Sequence, residues 1–438
     1  MKERAIRTGK MSEVGNHTPA SQAERIRFVR HARSLERALS SPEAFARAQR
    51  AELNRVLAAA AQVEPYRSLW GATPEPMSDL KELPRFPLVD RAQMDAFSLD
   101  ERTVPGQVVV VTAATSGTTG PFFLTGRSGD EQLYLRARLL RQWRILGREL
   151  DAPVLTYALG GGRAAPLVRT GRSARMGAQA PVEDQVAALE LIRPTYLRGP
   201  PSTLLEMADR FGSFPVSGME TFGEVLDPLA RDELRAAFGI DPLDCYGGSE
   251  AGRVSWQCPT QGSYHIDADT VLVEIVDEKG RPVAPGVDGE VVVTALWNVT
   301  TPIVRYRTGD MAALANGPCG CDIPLPVMSQ VEGRRDDFFR SHDGSRVAPW
   351  RIWRLLYDPP ILHLMKRCRF VQRSVDDLLV EVVWREAPAE DRLLSLEGSL
   401  RRLLSGPVAV EVRSVEELTM RPGSRRLIQS LAWSESPP

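Results

Sequence analysis

Lysine is nearly missing from this chain. Of 55 basic residues only Lys2, Lys10, Lys81, Lys279 and Lys366 are lysines, so chemistry that needs a compact ammonium group has few candidates. Cysteine and histidine are equally sparse, at five each in 438 residues, which excludes a disulfide framework. The longest apolar stretches, around Val56–Val63 and Val108–Ala114, are far short of a membrane-spanning helix. An excess of either charge is also lacking: 55 basic residues meet 56 acidic ones, a formal net charge of -1. Neither nucleic acid nor an anionic membrane is therefore expected as a partner. The polar stretch from Met1 to Gln22 has no apolar centre of the kind a secretory signal carries. It reads as a disordered leader, and a cytoplasmic protein is expected. What is present, 43% hydrophobic and 25% charged residues, is the mix of a globular protein of two or three domains.

Helix-like periodicity runs from about Ala23 to Ala61, and prolines at 65, 74, 76, 84 and 87 punctuate the connection that follows. Val108–Thr112 reads as a short buried strand. After a turn-rich segment, Ser128 with Glu131 makes a capping-box start for a helix carrying Leu133, Leu139 and Trp143. Pro153–Leu159 and Tyr196–Arg198 are expected strands and Glu183–Ile192 an expected helix. Asp227-Pro228 opens another helix. This alternation predicts α/β layers up to about residue 250. Beyond it the pattern is antiparallel, with Val271–Asp277 and Glu290–Leu296 around a turn at Glu278–Gly280. From Val331 onward, strands Cys368–Arg373 and Leu378–Trp384, helix Asp391–Leu404 and strand Val408–Val412 form a compact α+β pattern. The cluster of Lys366, Arg367 and Arg369 is expected to be a solvated face. The expected fold class is α/β, with a leader over 1–22, a large layered N-terminal domain over 23–333, whose 251–333 part is β-rich, and a small α+β domain over 334–438.

Four segments point to chemistry. In Thr115-Ser116-Gly117-Thr118-Thr119-Gly120, glycines bracket hydroxyl side chains between a strand and a helix. Close backbone N–H groups and small hydroxyl donors suit a triphosphate. No Gly-Lys-Ser/Thr follows, so this is not a Walker A loop, and alone it is equally a Ser/Thr/Gly surface loop. The other three are Tyr246-Gly247-Gly248-Ser249-Glu250, Tyr306-Arg307-Thr308-Gly309-Asp310 and Gly333-Arg334-Arg335-Asp336-Asp337. In this order and at these distances, and with the text from Val273 to Asp310 running continuously alongside, the chain resembles the adenylate-forming superfamily. The similarity is greatest to its phenylacetate–CoA ligase branch and covers roughly residues 40 to 430.

The resemblance implies roles for individual positions. Thr115, Ser116, Gly117, Thr118, Thr119 and Gly120 would hold the β- and γ-phosphates of ATP. Glu250 would bind Mg²⁺, as a hard carboxylate oxygen suits. Asp310 would accept both ribose hydroxyls, and Arg334 would add a donor to the nucleotide. Gly223, Glu224, Tyr246 and Gly247 would lie by the adenine, with Gly247, Gly248 and Tyr157 toward the acid-substrate pocket. Asp336 would mark the hinge about which a mobile C-terminal domain turns, and Gly344 would approach the CoA thiol. The implied reaction is ATP-dependent activation of a small aromatic carboxylic acid as an acyl-adenylate, then transfer to CoA. The alternatives are transfer to a carrier protein, an amine or another acceptor, and a degenerate nucleotide-binding partner protein without catalysis. Homodimer formation is implied by analogy alone.

The chain departs from the family pattern in three places. Pro121 follows Gly120 where the family continues Gly-Lys-Pro, and Glu224-Val225 stands where relatives tend to have Ala-Glu-Pro. The family's C-terminal lysine, which bridges carboxylate and α-phosphate, has no counterpart in Arg421-Pro422-Gly423-Ser424-Arg425-Arg426, and no lysine stands beyond Lys366. Arg425 or Arg426 would be its substitute, with a planar fork in place of an ammonium; the alternatives are slow or absent adenylation, and adenylation of an unusual nucleophile or transfer to something other than CoA. Separately, Cys258, His265, Cys319 and Cys321 offer three thiolates and an imidazole, a donor set for a closed, structural Zn²⁺ site. Cys245 and Cys368 are expected to be reduced, buried cysteines.

Overall fold

Ser41 and Pro42 divide the expected Ala23–Ala61 helix into two, Gln22–Ala38 and Pro42–Ala60. The Ser41 hydroxyl accepts the Ala44 N–H, and Pro42 takes the first helical turn, where its missing donor is not needed. A computed structural model describes residues 21–114, 123–158, 167–170, 172–178, 180–212, 214–331, 333–334, 337–356, 361–418 and 428–431. The Val108–Thr112 expectation is corrected. The strand is Val111–Ala114, and Val108 and Val110 are 69% and 44% exposed. Among the described residues it pairs with Leu124–Arg127, in a ribbon of two strands.

Five parallel strands make the middle of the main sheet, in the spatial order Leu243–Gly248, Gly218–Phe222, Tyr196–Gly199, Val154–Ala158, Ser173–Gly177. Antiparallel strands extend both edges, to nine strands among the described residues. The chain departs from Val154–Ala158 first to one side and then to the other. That makes a topological switch point, where the carboxyl ends of α/β strands leave room for ligands. Those ends lead directly into Gly199-Pro200, Gly223-Glu224 and Gly248-Ser249-Glu250.

The two faces of this sheet differ in chemistry. Leu155, Tyr157, Met176, Leu197 and Met219 pack with residues of the helices Val182–Ile192, Pro201–Phe211 and Pro228–Phe238. On the other face the helix Gly129–Ile145 packs through Trp143 against Val154 and Tyr196. Its start is the expected Ser128/Glu131 capping box, and the Glu131 carboxylate also accepts the N–H groups of Val299 and Thr300. A buried ionic network then ties this helix to the sheet. Arg141 pairs with Asp267 and Asp269, Arg253 pairs with Asp267, and Arg138 donates to the Arg253 carbonyl. Loss of one member would strand a buried charge, which costs about 3–5 kcal/mol in such networks.

Val271–Val276, Gly289–Ala295, Tyr306–Ala312 and Gly333–Arg334 form an antiparallel sheet in that order. The first two are the expected hairpin, and Gly280, with φ +77°, makes its turn. In the C-terminal part, Asp377–Trp384 lies between Met365–Ser374 and Ala409–Ser414, with Ile428–Ser430 on the far edge. Phe370, Leu378, Val380, Leu396 and Leu400 fill a separate core there, joined by Leu229 from the N-terminal part. The expected solvated basic face is also corrected. Arg367 and Arg385 both pair with Glu233 of helix Pro228–Phe238, and Arg369 pairs with Glu381 on the neighbouring strand. Among the described residues no helix is long and apolar enough to cross a membrane.

Candidate active site

The hairpin between Leu243–Gly248 and Gly252–Gln257 is tight enough to need glycine. A Cβ on Gly247 would fall 2.2 Å from the Gly252 carbonyl oxygen, and one on Gly248 would fall 2.6 Å from Glu250 Oε2. Glycine at both places lets the turn carry Tyr246 before it and Glu250 within it. The next sheet supplies the second acid. Gly309 (φ +77°) precedes Asp310 on the strand Tyr306–Ala312, where a left-handed backbone favours glycine.

Each acid is met by a tyrosine from the other segment. The Tyr246 hydroxyl donates to Asp310 Oδ2 at 2.8 Å, and the Tyr306 hydroxyl donates to Glu250 Oε1 at 3.2 Å. The Asp310 N–H donates to Thr308 Oγ1 at 3.1 Å, and the Thr308 hydroxyl in turn donates to the Val291 carbonyl at 2.9 Å. Arg334 stands directly opposite Asp310 in the sheet register. Burial raises the Asp310 carboxyl above its ordinary range, with Arg334 and the Tyr246 hydroxyl opposing the rise. Burial also raises Glu250, and the nearby Asp310 adds to that. Both acids keep partial access to solvent. A half-buried acid pair of this kind favours a cation and hydroxyl donors as its ligands.

The remaining expected site residues lie at different distances from this centre. Gly223, with φ +80°, ends the Gly218–Phe222 strand. Glu224 Oε2 accepts the Ser202 N–H at 3.2 Å, in the first turn of helix Pro201–Phe211. Tyr157 has no exposure, sits in the hydrophobic core and donates to Met207 Sδ at 3.2 Å. Gly344, with φ +83°, lies in the turn of Asp343 and Ser345, where a Cβ would meet open space. The 115–120 loop, Asp336, Arg425 and Arg426 lie outside the described residues. The sequence reading assigned Tyr306 no role, although it opens its segment as Tyr246 opens the other.

Cys258, His265, Cys319 and Cys321 come together, with their ligand atoms all within 4.8 Å of one another. His265 is fully buried. Its Nδ1 lies 3.4 Å from the Leu325 carbonyl oxygen and its Nε2 3.3 Å from Cys321 Sγ. That arrangement suits an imidazole whose outer nitrogen is held by a carbonyl while the other faces the thiols. Cys245 and Cys368 are free and buried, as expected.

An α/β sheet with a switch point, an antiparallel sheet beside it and two tyrosine-bound acids between them carry the resemblance to adenylate-forming enzymes into the fold. Among known proteins the chain is similar to the phenylacetate–coenzyme A ligase of Thermus thermophilus, 28% identical over 318 residues, which covers 66% of this chain and 69% of that one. The phenylacetate–coenzyme A ligase of Escherichia coli is 30% identical over 294 residues, covering 61% of this chain and 65% of the relative. In fold it is similar to a 2-hydroxyisobutyryl-CoA ligase in a postadenylation state, with a TM-score of 0.70 and 18% identity over 89% of this chain and 90% of that one. No family model matches the chain.

Proposed function

We propose that the protein activates a small carboxylic acid, aromatic by its likeness to phenylacetate–CoA ligases, as an acyl-adenylate at the expense of ATP and passes the acyl group to CoA. The observation that carries this reading is the pair of tyrosine-bound carboxylates, Asp310 and Glu250, on adjoining sheets at the carboxyl edge. Asp310 would take the ribose hydroxyls and Arg334 would stand beside the nucleotide. Glu250 would hold Mg²⁺, which would offset charge on the phosphates. The substrate carboxylate is already a nucleophile, so the protein's work in the first step is to position it on the α-phosphorus and stabilise developing charge. Thr115–Gly120 would hold the phosphates, Gly223 and Glu224 would border the adenine, and Asp336 would be the hinge for the second step. Gly344 would come near the CoA thiol.

The cysteine–histidine cluster is read as a closed Zn²⁺ site that braces the Tyr264–Ile266 strand against the 317–325 loop. Four donors leave no open coordination position, so the role is structural. The absence of lysine beyond Lys366 favours a second reading, a slow or non-catalytic nucleotide-binding protein. ATP–pyrophosphate exchange with a panel of acids separates the two. Exchange with at least one acid, followed by a thioester mass when CoA is added, is the expected result. Exchange without a thioester would point to another acceptor, and nucleotide binding without exchange would favour the second reading.

A further inference from the structure

The turn that carries Glu250 is gripped from outside its own hairpin. The carbonyl before the acid, that of Ser249, accepts the Thr125 hydroxyl at 2.9 Å and Arg127 Nη2 at 3.2 Å. The carbonyl after it, that of Ala251, accepts the Trp297 indole N–H at 3.0 Å. Side-chain donors from two distant segments therefore fix the peptide groups on both sides of Glu250. The Arg127 guanidinium also lies 5.2 Å over the Trp297 ring, which joins the two clamps to each other. Thr125 and Trp297 are both buried.

Thr125 and Arg127 stand on the ribbon strand Leu124–Arg127, and Thr301 anchors that strand. The Thr301 hydroxyl accepts the Gly126 N–H at 3.0 Å and donates to the Gly126 carbonyl at 2.9 Å. A Cβ on Gly126 would fall 2.7 Å from Val109 and 3.1 Å from Thr301, so this close approach needs glycine. The Thr301 N–H is itself held by Asn298 Oδ1 at 2.9 Å, and Trp297 directly precedes Asn298. One short segment, 297–301, thus supports both clamps. Residues 115–120, proposed above to hold the ATP phosphates, lie in the chain between the ribbon's two strands. The ribbon that encloses the phosphate segment in sequence is also the one that grips the turn of the metal acid.

Mg²⁺ demands near-ideal octahedral geometry with oxygens at about 2.0–2.1 Å, so a small rotation of the peptide that carries its ligand costs affinity. We propose that Thr125 and Arg127 are positioning residues for Glu250, aiming its carboxylate at the metal of the metal–ATP complex by holding the Ser249 carbonyl. The inference rests on the reading of Glu250 as the Mg²⁺ ligand and adds the residues that orient it. The two influences that Arg127 could have differ in sign. It is half-buried, burial lowers its pKa to about 10, and Glu250 is among the acids that oppose the fall. A guanidinium that merely stood near Glu250 would repel a cation, and its removal would tighten Mg²⁺ binding. Removal of a positioning group weakens it.

Calorimetric titration of ATP, with excess Mg²⁺ and without divalent metal, gives the metal's contribution as a ratio of affinities. Titration of AMP reports the Asp310 side of the site separately. The double variant Thr125→Val, Arg127→Met is expected to lower the metal ratio about tenfold, and each single change about threefold, with AMP affinity unchanged. Thr125→Ser and Arg127→Lys, which keep a donor, are expected to restore most of it. In a Glu250→Gln background no charged ligand is left to aim, so Thr125→Val is expected to change nothing further. A ratio that stays the same or rises in Arg127→Met overturns the proposal. So does an equal loss of AMP affinity, the mark of general loosening, or an additive loss in the Glu250→Gln background. A wild-type ratio of one would mean that Glu250 holds no metal, and would remove that reading and this inference together. A ratio that Glu250→Gln abolishes but Thr125→Val and Arg127→Met leave intact removes this inference alone. If the double variant does not fold, the isosteric Thr125→Val by itself must show its threefold loss, and an unchanged ratio there overturns the proposal.

Discussion

Asp310 depends on a neighbour for its charge. Burial favours the protonated form, and the Tyr246 hydroxyl is one of the groups working against that. Tyr246→Phe removes a donor to a buried carboxylate, so AMP affinity measured by calorimetry is expected to fall about tenfold. Asp310→Ala removes the acceptor itself, and a loss of about a hundredfold or more is expected. Unchanged affinity in that variant would remove the ribose assignment. The cysteine–histidine cluster makes a separate residue-scale prediction. Protein never exposed to chelator is expected to carry about one zinc per chain by elemental analysis, and Cys319→Ser to hold it less tightly and melt at a lower temperature. A folded wild-type sample without zinc would show the cluster to be three reduced thiols and an unligated imidazole.

The helix Pro228–Phe238 begins on a buried acid, and that gives it a pH dependence. Asp227 accepts the Ala230 N–H at 3.0 Å, and burial lifts its pKa from 3.8 to about 6. A carboxyl whose folded value is raised contributes stability that is complete below its unfolded pKa and is lost as pH rises through the folded one. Asp227→Asn keeps a capping oxygen without the charge. The variant is expected to be more stable than wild type by roughly 2 kcal/mol near pH 7.5 and equal to it near pH 4, in denaturant titrations. An equal difference at both pH values would show that charge burial is not its cause. Asp227-Pro228 was legible in the sequence, as were the Ser128/Glu131 box and the Glu278–Gly280 turn, because caps and turns are made by residues close along the chain. The strand Val111–Ala114 was misplaced because the layer that covers a strand is decided by distant segments. The site divides in the same way. Glu250, Asp310 and the zinc-type donors stand within short recognisable segments. The pairing of Tyr306 with Glu250 arises only where two different sheets meet, between segments far apart in sequence.

At the scale of the molecule, the helix Pro228–Phe238 of the N-terminal part meets the C-terminal part, and Arg346 adds an ion pair to Glu278. Leu229 enters the C-terminal core, and Glu233, with a side chain only 13% exposed, pairs with both Arg367 and Arg385. Glu233→Gln is expected to weaken this contact by about 1–2 kcal/mol. Hydrogen exchange should then quicken along Met365–Ser374 and Pro228–Phe238, and unchanged exchange would show the pairs to be without mechanical effect. The rung that joins Asp310 to Arg334 and Met311 to Gly333 has a further consequence. It stitches the strand leading to the C-terminal part onto the strand that carries Asp310, the acid proposed to bind ribose, so the two are held together. On the proposed two-step reading, a turning C-terminal part would swing from beyond residue 334, as a door swings outside its frame. The nucleotide, seated on the frame, would keep its place while the partner for the second step is exchanged.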